Sequence, residues 1–416
     1  MELAIVILLS FSSCFCTFIL NRQMMGFFFA LIATFYAMHG APFWFCLTIA
    51  IFTQSAHLFI SQKKSIILWI VIFAVVCYSI TIFIFRPYEI NINYFAVYFT
   101  TLLFFIWAAL IKWDSKKIIT IVTALGVYLV IFGFAEWLIV NPPRIQGPLS
   151  VATAYAVVLV LIWTIWFVEN CFSHRFSNFT IFFGTLLVFI AVLLSGTRMG
   201  IIGIAMGLSF GVGFSSWAIK FKNNTFFQKI FYSTFAFCCT LLLIFVAWTL
   251  VPNDLYIKQA FNTVAAGKMD SSNMGRVTSW IVALNIIPEN KIWGIGPGNF
   301  YDIHKSFLQS LPSNVNVPRG SLKHSHNMYL MILSEFGISG FLIFAFIIIA
   351  YFIQLFYRLK SNPSVGIYYA FLSSGIIMMT LGMVDVIPLD LYTIGWGGWY
   401  MGVLASFSLA NEDSAK

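Results

Sequence analysis

Apolar runs of about 18 to 22 residues recur along most of this chain, the length a helix needs to cross roughly 30 Å of hydrocarbon at 1.5 Å per residue. A chain that is 61% hydrophobic, 9% charged and has a mean hydropathy of +0.92 cannot hide so much apolar surface inside a water-soluble globule. Shorter alternating segments would mark a β-barrel, and they are not the pattern here. The expectation is an all-α, polytopic integral membrane protein.

The runs place spans near 3–20, 24–40, 43–60, 66–85, 94–111, 118–140, 151–168, 179–195, 200–219 and 230–251, then near 328–357, 366–384 and 391–409. The tight 24–60 region holds one or two spans, so the total is twelve or thirteen. Three parts follow: N-terminal transmembrane helices over 1–251, a large loop over 252–326, and C-terminal transmembrane helices over 327–416. The first run, Leu3 to Leu20, lacks the basic start and small-residue cleavage site of a signal peptide and is expected to be retained. Cys14, Cys16, Cys46, Cys77, Cys171, Cys238 and Cys239 lie in or beside apolar runs without C-x-x-C spacing, and no disulfide is expected.

A formal charge of +9 does not indicate a nucleic-acid partner, because the basic residues are scattered among short connections. One alternating set of connections holds Arg22, Lys63, Lys64, Lys112, Lys116, Lys117, Arg175, Lys220, Lys222, Lys229, Arg358, Lys360 and Lys416; the opposite short connections hold only Arg86, Arg144 and Arg198. Cytoplasmic loops retain lysine and arginine, so the first set is cytoplasmic and the loop over 252–326 lies on the other face. Arginines in short outer turns run against that rule. Headgroup anchoring accounts for Arg86 and Arg144 as readily as function does; Arg198, in the tight turn "SGTRMG", has little room to snorkel.

The long loop adds Arg276 and Arg319 to that face. "NMGRVTSWIVALNIIPEN" carries Val277, Trp280, Ile281, Leu284 and Ile287 or Pro288 at helical spacing, so Arg276 is expected to begin an amphipathic helix that Pro288 helps to end and that can lie on the membrane surface. In "IWGIGPGNF", Gly294, Gly296 and Gly298 allow a tight turn or close backbone approach, but without the context of a nucleotide-binding loop. In "HSHNMYLMILSEFGISG", His324 and His326 precede a long apolar helix. Two apart on a helix they would face different ways, and with His304 the only other histidine of the loop, no metal is expected. A neutral imidazole at the membrane surface suits general-base work. Arginine beside it suits phosphate and the negative charge that grows on a departing diphosphate. Glu136 is expected to pair with an outer arginine, Glu335 to serve helix packing or support the site, and Asp385 and Asp390 to flank an outer turn. A transporter is the competing reading from another class; such proteins often carry paired repeats or broken mid-membrane helices, whereas here no convincing internal repeat is legible and the informative residues gather on one face.

These residues resemble the O-antigen ligases, within a superfamily that also holds O-antigen polymerases and bacterial O-oligosaccharyltransferases. The pattern is His, Asn, nine residues, Gly, two residues, Gly, met by His326, Asn327, Gly337 and Gly340. The turn around Arg198, the segment with Arg276 and Trp280, and "GIGPGNF" extend the likeness over about residues 190 to 345. The resemblance implies a GT-C-like glycosyltransferase without a cofactor, metal-independent and inverting. Its donor would be an undecaprenyl-diphosphate-linked glycan and its acceptor lipid A-core, on the periplasmic face of a Gram-negative inner membrane. It implies His326 as catalytic base and Arg198 and Arg276 as diphosphate ligands. His324, Asn327, Arg144, Arg319 and Trp280 are candidates for supporting or acceptor-side roles. Some polymerases carry arginine, ten residues and glycine in two outer loops. Here Tyr155 follows Arg144 and Ser209 follows Arg198 at that spacing, which favours a ligase.

Overall fold

A computed structural model describes residues 108, 113–149, 151–215, 271–311, 322, 324–361, 365–385 and 403. Their helices are α1 (Ser115–Val140), α2 (Ala152–Ser173), α3 (Asn178–Leu194), α4 (Arg198–Ser215), α5 (Ser271–Glu289), α6 (Phe300–Ser310), α7 (Met328–Ser361) and α8 (Gly366–Leu381), with no strand among the described residues. The spans expected at 3–20, 24–40, 43–60, 66–85, 94–111, 230–251 and 391–409 lie outside them but for Ala108 and Val403, as does Arg319. By its contacts the chain divides into two compact units, one of residues 1–113, 269–351 and 382–416, the other of 114–268 and 352–381.

In the second unit, α2 is the central helix, buried from Ala154 through Asn170. Its close neighbour α4 offers a seam of small residues. A Cβ added at Gly200 would meet Val192 and Ala156, at Gly203 Val160, and at Gly207 Trp163 and Thr164. That spacing lets the two backbones approach, the usual way membrane helices gain van der Waals contact where lipid and side chains are equally apolar. α1 and α3 turn Ile131, Leu138, Phe179 and Phe182 outward, as a lipid-facing surface requires.

The turns of this unit carry basic residues at both ends. At one end Ile145 N–H donates to the Leu194 carbonyl (3.2 Å), joining the connection that carries Arg144 to the turn before Arg198. At the other, Arg175 donates to Ser115 Oγ (2.6 Å), beside Lys116 and Lys117. α1, α2 and α7 are long and apolar enough to cross a membrane, and α3, α4 and α8 are shorter apolar helices.

α7 is interrupted at Gly337, which sits at φ +65°, ψ −168°. The break frees backbone groups that a helix would use internally. The glycine-rich loop takes them up in the first unit. Ile295 and Gly296 N–H donate to the Ser334 and Glu335 carbonyls (both 2.9 Å), while Ile338 and Ser339 N–H donate to the Lys291 and Ile292 carbonyls (2.8 and 3.2 Å). Gly294 (φ +69°) and Gly337 meet backbone to backbone: a Cβ on Gly337 would lie 2.7 Å from Gly294 N and closer still to the Ile292 carbonyl. Gly337 thus breaks α7 and receives this loop.

Candidate active site

α5 is two-faced. Ser279, Val282, Ala283 and Ile286 are buried, the last three in a core with Ile295 and Phe300. Val277, Ile281 and Leu284, the stripe legible in the sequence, are exposed. α5 begins no later than Ser271, so Arg276 stands in its second turn and does not open it. Its guanidinium makes one long contact, Nη1 to Asn273 Oδ1 (3.4 Å), and its buried Nε has no hydrogen-bond partner among the described residues. A buried donor left open in this way is costly unless a ligand completes it.

The histidine segment is stitched to α5. Ser279 Oγ donates to the Ser325 carbonyl (2.9 Å), and Trp280 Nε1 donates to the His326 carbonyl (3.4 Å). Asn327 starts α7: its Oδ1 accepts the N–H groups of Tyr329 and Leu330 (both 3.0 Å), a capping role for which asparagine is well suited. Its Nδ2 donates to the Met383 carbonyl (2.8 Å), and Met328 N–H donates to the carbonyls of Gly382 (2.8 Å) and Asp385 (3.1 Å). His326, between these anchors, adopts φ +49°, a left-handed conformation uncommon outside glycine. The His-Asn pair therefore has a local cause: asparagine fixes the helix start, and the preceding residue is forced into a turn that projects its imidazole.

Two expectations fail at this point. His324 and His326 are not on a helix, and their rings meet edge to face with centroids 4.3 Å apart. Asp385 does more than flank a turn: its Oδ1 lies 3.4 Å from His326 Nδ1, with Asp385 nearly buried and His326 half-buried. The ligand atoms of His324, His326 and Asp385 all lie within 4.8 Å of one another, a grouping able to hold a cation where none was expected. The sequence separation of Asp385 from His326 hid it; only the return of the chain after α8 joins them. His304, on α6, is buried, and its Nδ1 accepts the Leu322 N–H (3.2 Å). Burial, and secondarily the positive charge of a protonated His326, lower its pKa below the ordinary histidine value.

In the second unit Arg144 secures the turn ahead of Arg198. Its Nε donates to the Ser195 carbonyl (2.9 Å) and its Nη2 to Thr197 Oγ1 (3.4 Å). Gly196 supplies the positive φ of that turn, and Arg198 is the first residue of α4. Among the described residues Glu136 pairs with no outer arginine: Oε2 accepts the backbone N–H groups of Gln146 (3.0 Å) and Gly147 (2.6 Å), fixing the connection that carries Arg144. Glu335 is fully buried and accepts the Gly298 N–H (2.9 Å), a supporting role for the loop beneath the site.

Helices with outward apolar faces, and a polar cluster gathered at the start of one long span, define a multi-helix membrane protein with a built polar site. Residues 183–345 match the family model described as O-antigen ligase, so this segment of the chain is similar to that family. A comparison with curated proteins returns no match.

Proposed function

We propose that the protein is an O-antigen ligase. It moves a glycan from undecaprenyl diphosphate to a sugar hydroxyl of lipid A-core, on the periplasmic face of the inner membrane, in lipopolysaccharide biosynthesis. The observation that carries the reading is the pairing of His326 with Asp385 at 3.4 Å on a capped helix start, inside the family-matched segment for the histidine. With Nδ1 turned to Asp385, Nε2 is left to accept a proton from the acceptor hydroxyl. The hydroxyl oxygen then forms a bond to the anomeric carbon, on the face opposite the diphosphate. The carbon–oxygen bond to the diphosphate breaks, and the leaving group keeps the electron pair.

Arg198 and Arg276 take the charge that develops on the diphosphate. A guanidinium offers a fixed fork of donors and stays charged, so it can do this without a divalent ion. The open Nε of Arg276 and the position of Arg198 at a helix N-terminus both suit an anion. The outer stripe Val277, Ile281 and Leu284 would lie against the bilayer and hold Arg276 at headgroup depth, near a lipid-borne diphosphate. Transfer by the purified protein from donor to lipid A-core, with chelator present, tests the reading. A donor glycan that lengthens while lipid A-core stays bare would instead indicate a polymerase, and transfer to protein an O-oligosaccharyltransferase.

A further inference from the structure

His324, His326 and Asp385 come from two chain segments, yet their ligand atoms lie within 4.8 Å of one another. Two donors at tetrahedral angles around zinc stand about 3.4 Å apart, given metal–ligand distances near 2.0–2.2 Å. The His326 Nδ1 to Asp385 Oδ1 separation of 3.4 Å already has that spacing. That nitrogen is buried and makes no hydrogen bond among the described residues, so it is aimed at the carboxylate without being well satisfied by it. Rotation of His324, whose ring meets that of His326 edge to face, completes a three-ligand set. Two imidazoles and a carboxylate select a first-row transition cation over magnesium or calcium, which prefer oxygen.

We propose that this cluster binds one zinc-type divalent cation and that the bound cation silences the transferase. The silencing rests on reading His326 as the base. A cation on the ring takes Asp385 away from its orienting role and puts positive charge on the group that must accept a proton. Binding itself requires no such assumption. The asparagine cap, the Trp280 contact and the Met328 amide hold the segment in place, so His326 and Asp385 already stand at coordinating spacing and only His324 has to turn.

The test uses the full chain, purified without a histidine tag, chelator-stripped and placed in nanodiscs. Zinc is titrated against a chromophoric competitor, and metal is counted after desalting. One zinc per chain is expected for the wild type and for His174→Asn, a histidine remote in sequence whose left-handed backbone asparagine tolerates. His324→Gln and Asp385→Asn should each weaken binding at least about tenfold, the lower end of what metal sites lose through outer partners alone. Correct folding of both variants is checked by size-exclusion profile and thermal transition. Absence of a one-to-one site, or equal binding by the folded variants, overturns the site and leaves the base assignment untouched. Zinc should also halve glycan transfer at the concentration that half-fills the site, and His324→Gln should shift that midpoint relative to its own metal-free rate. Stoichiometric zinc with undiminished transfer overturns the silencing, and loss of transfer on chelation would make the ion a cofactor and overturn it as well.

Discussion

Replacing Gly337 with alanine tests how the glycine-rich loop is tied to the span beneath the histidine. At φ +65°, ψ −168° the residue occupies a region open essentially to glycine alone, which costs another residue about 1–3 kcal/mol. The added methyl would also run into the Ile292 carbonyl, so the loop must retreat. Retreat threatens four backbone hydrogen bonds, from Ile295, Gly296, Ile338 and Ser339, each worth about 0.5–1.5 kcal/mol net. Loss of even the two weakest, together with the backbone strain, lowers the free energy of local opening by about 2 kcal/mol or more, roughly thirty-fold in the opening equilibrium. Hydrogen exchange read by mass spectrometry over residues 291–300 measures it. Exchange of the Ile295 and Gly296 amides should accelerate by about that factor in Gly337→Ala, with α2 unchanged. Wild-type protection at those two amides in the variant would refute the account of the break and its loop.

Asp385→Asn should keep the fold and lower the rate of transfer by about 10- to 100-fold, because it removes the group that orients the base and leaves the base itself; steady-state transfer rates check it, and the loss should fall mainly on kcat. Arg144→Met removes the charged donor to Ser195 and Thr197, a loss of about 1.5–3 kcal/mol in the turn before Arg198. Donor affinity should fall by about tenfold or more, while thermal stability of the detergent-solubilised protein moves little. His304 makes the packing of α6 sensitive to acid. Its folded pKa lies below the ordinary 6.5, so above that value both states are neutral and nothing is lost; as pH falls through it the opened chain binds the proton first. Protection factors around residues 300–308, with exchange corrected for its base-catalysed intrinsic rate, should therefore fall between pH 7.5 and 5.5, and His304→Gln should flatten the dependence.

The helices were legible because membrane spans announce themselves by length and composition. Their observed ends at Val140, Leu194 and Met328 fall close to the expected ones. Arg144, Arg198, Arg276, His326 and Asn327 were legible as anomalies: charged or polar groups at the lips of apolar runs. Periodicity also revealed the outer stripe of α5, but its other face, Ser279, Val282, Ala283 and Ile286, escaped because an apolar residue carries no label saying which surface it meets. The fit of Ser279 against Ser325 is a tertiary fact. Glu136 was misassigned for a related reason: charge complementarity suggested an arginine, whereas two backbone amides at Gln146 and Gly147 offered fixed donors nearer at hand. The two histidines misled through an assumed helix, which the left-handed His326 breaks. Asp385 was invisible as a partner because 59 positions separate it from His326, a distance closed only by α7, α8 and the return of the chain.

In the proposed reaction His326 accepts the acceptor's proton. The most direct test of that step is single-turnover transfer from undecaprenyl-diphosphate glycan to lipid A-core, comparing wild type with folded His326→Ala in the presence of chelator. Glycan attachment is expected from the wild type, with the rate lowered by about 100-fold to 10,000-fold in the variant, the usual contribution of a general base. Transfer by His326→Ala at the wild-type rate would contradict it.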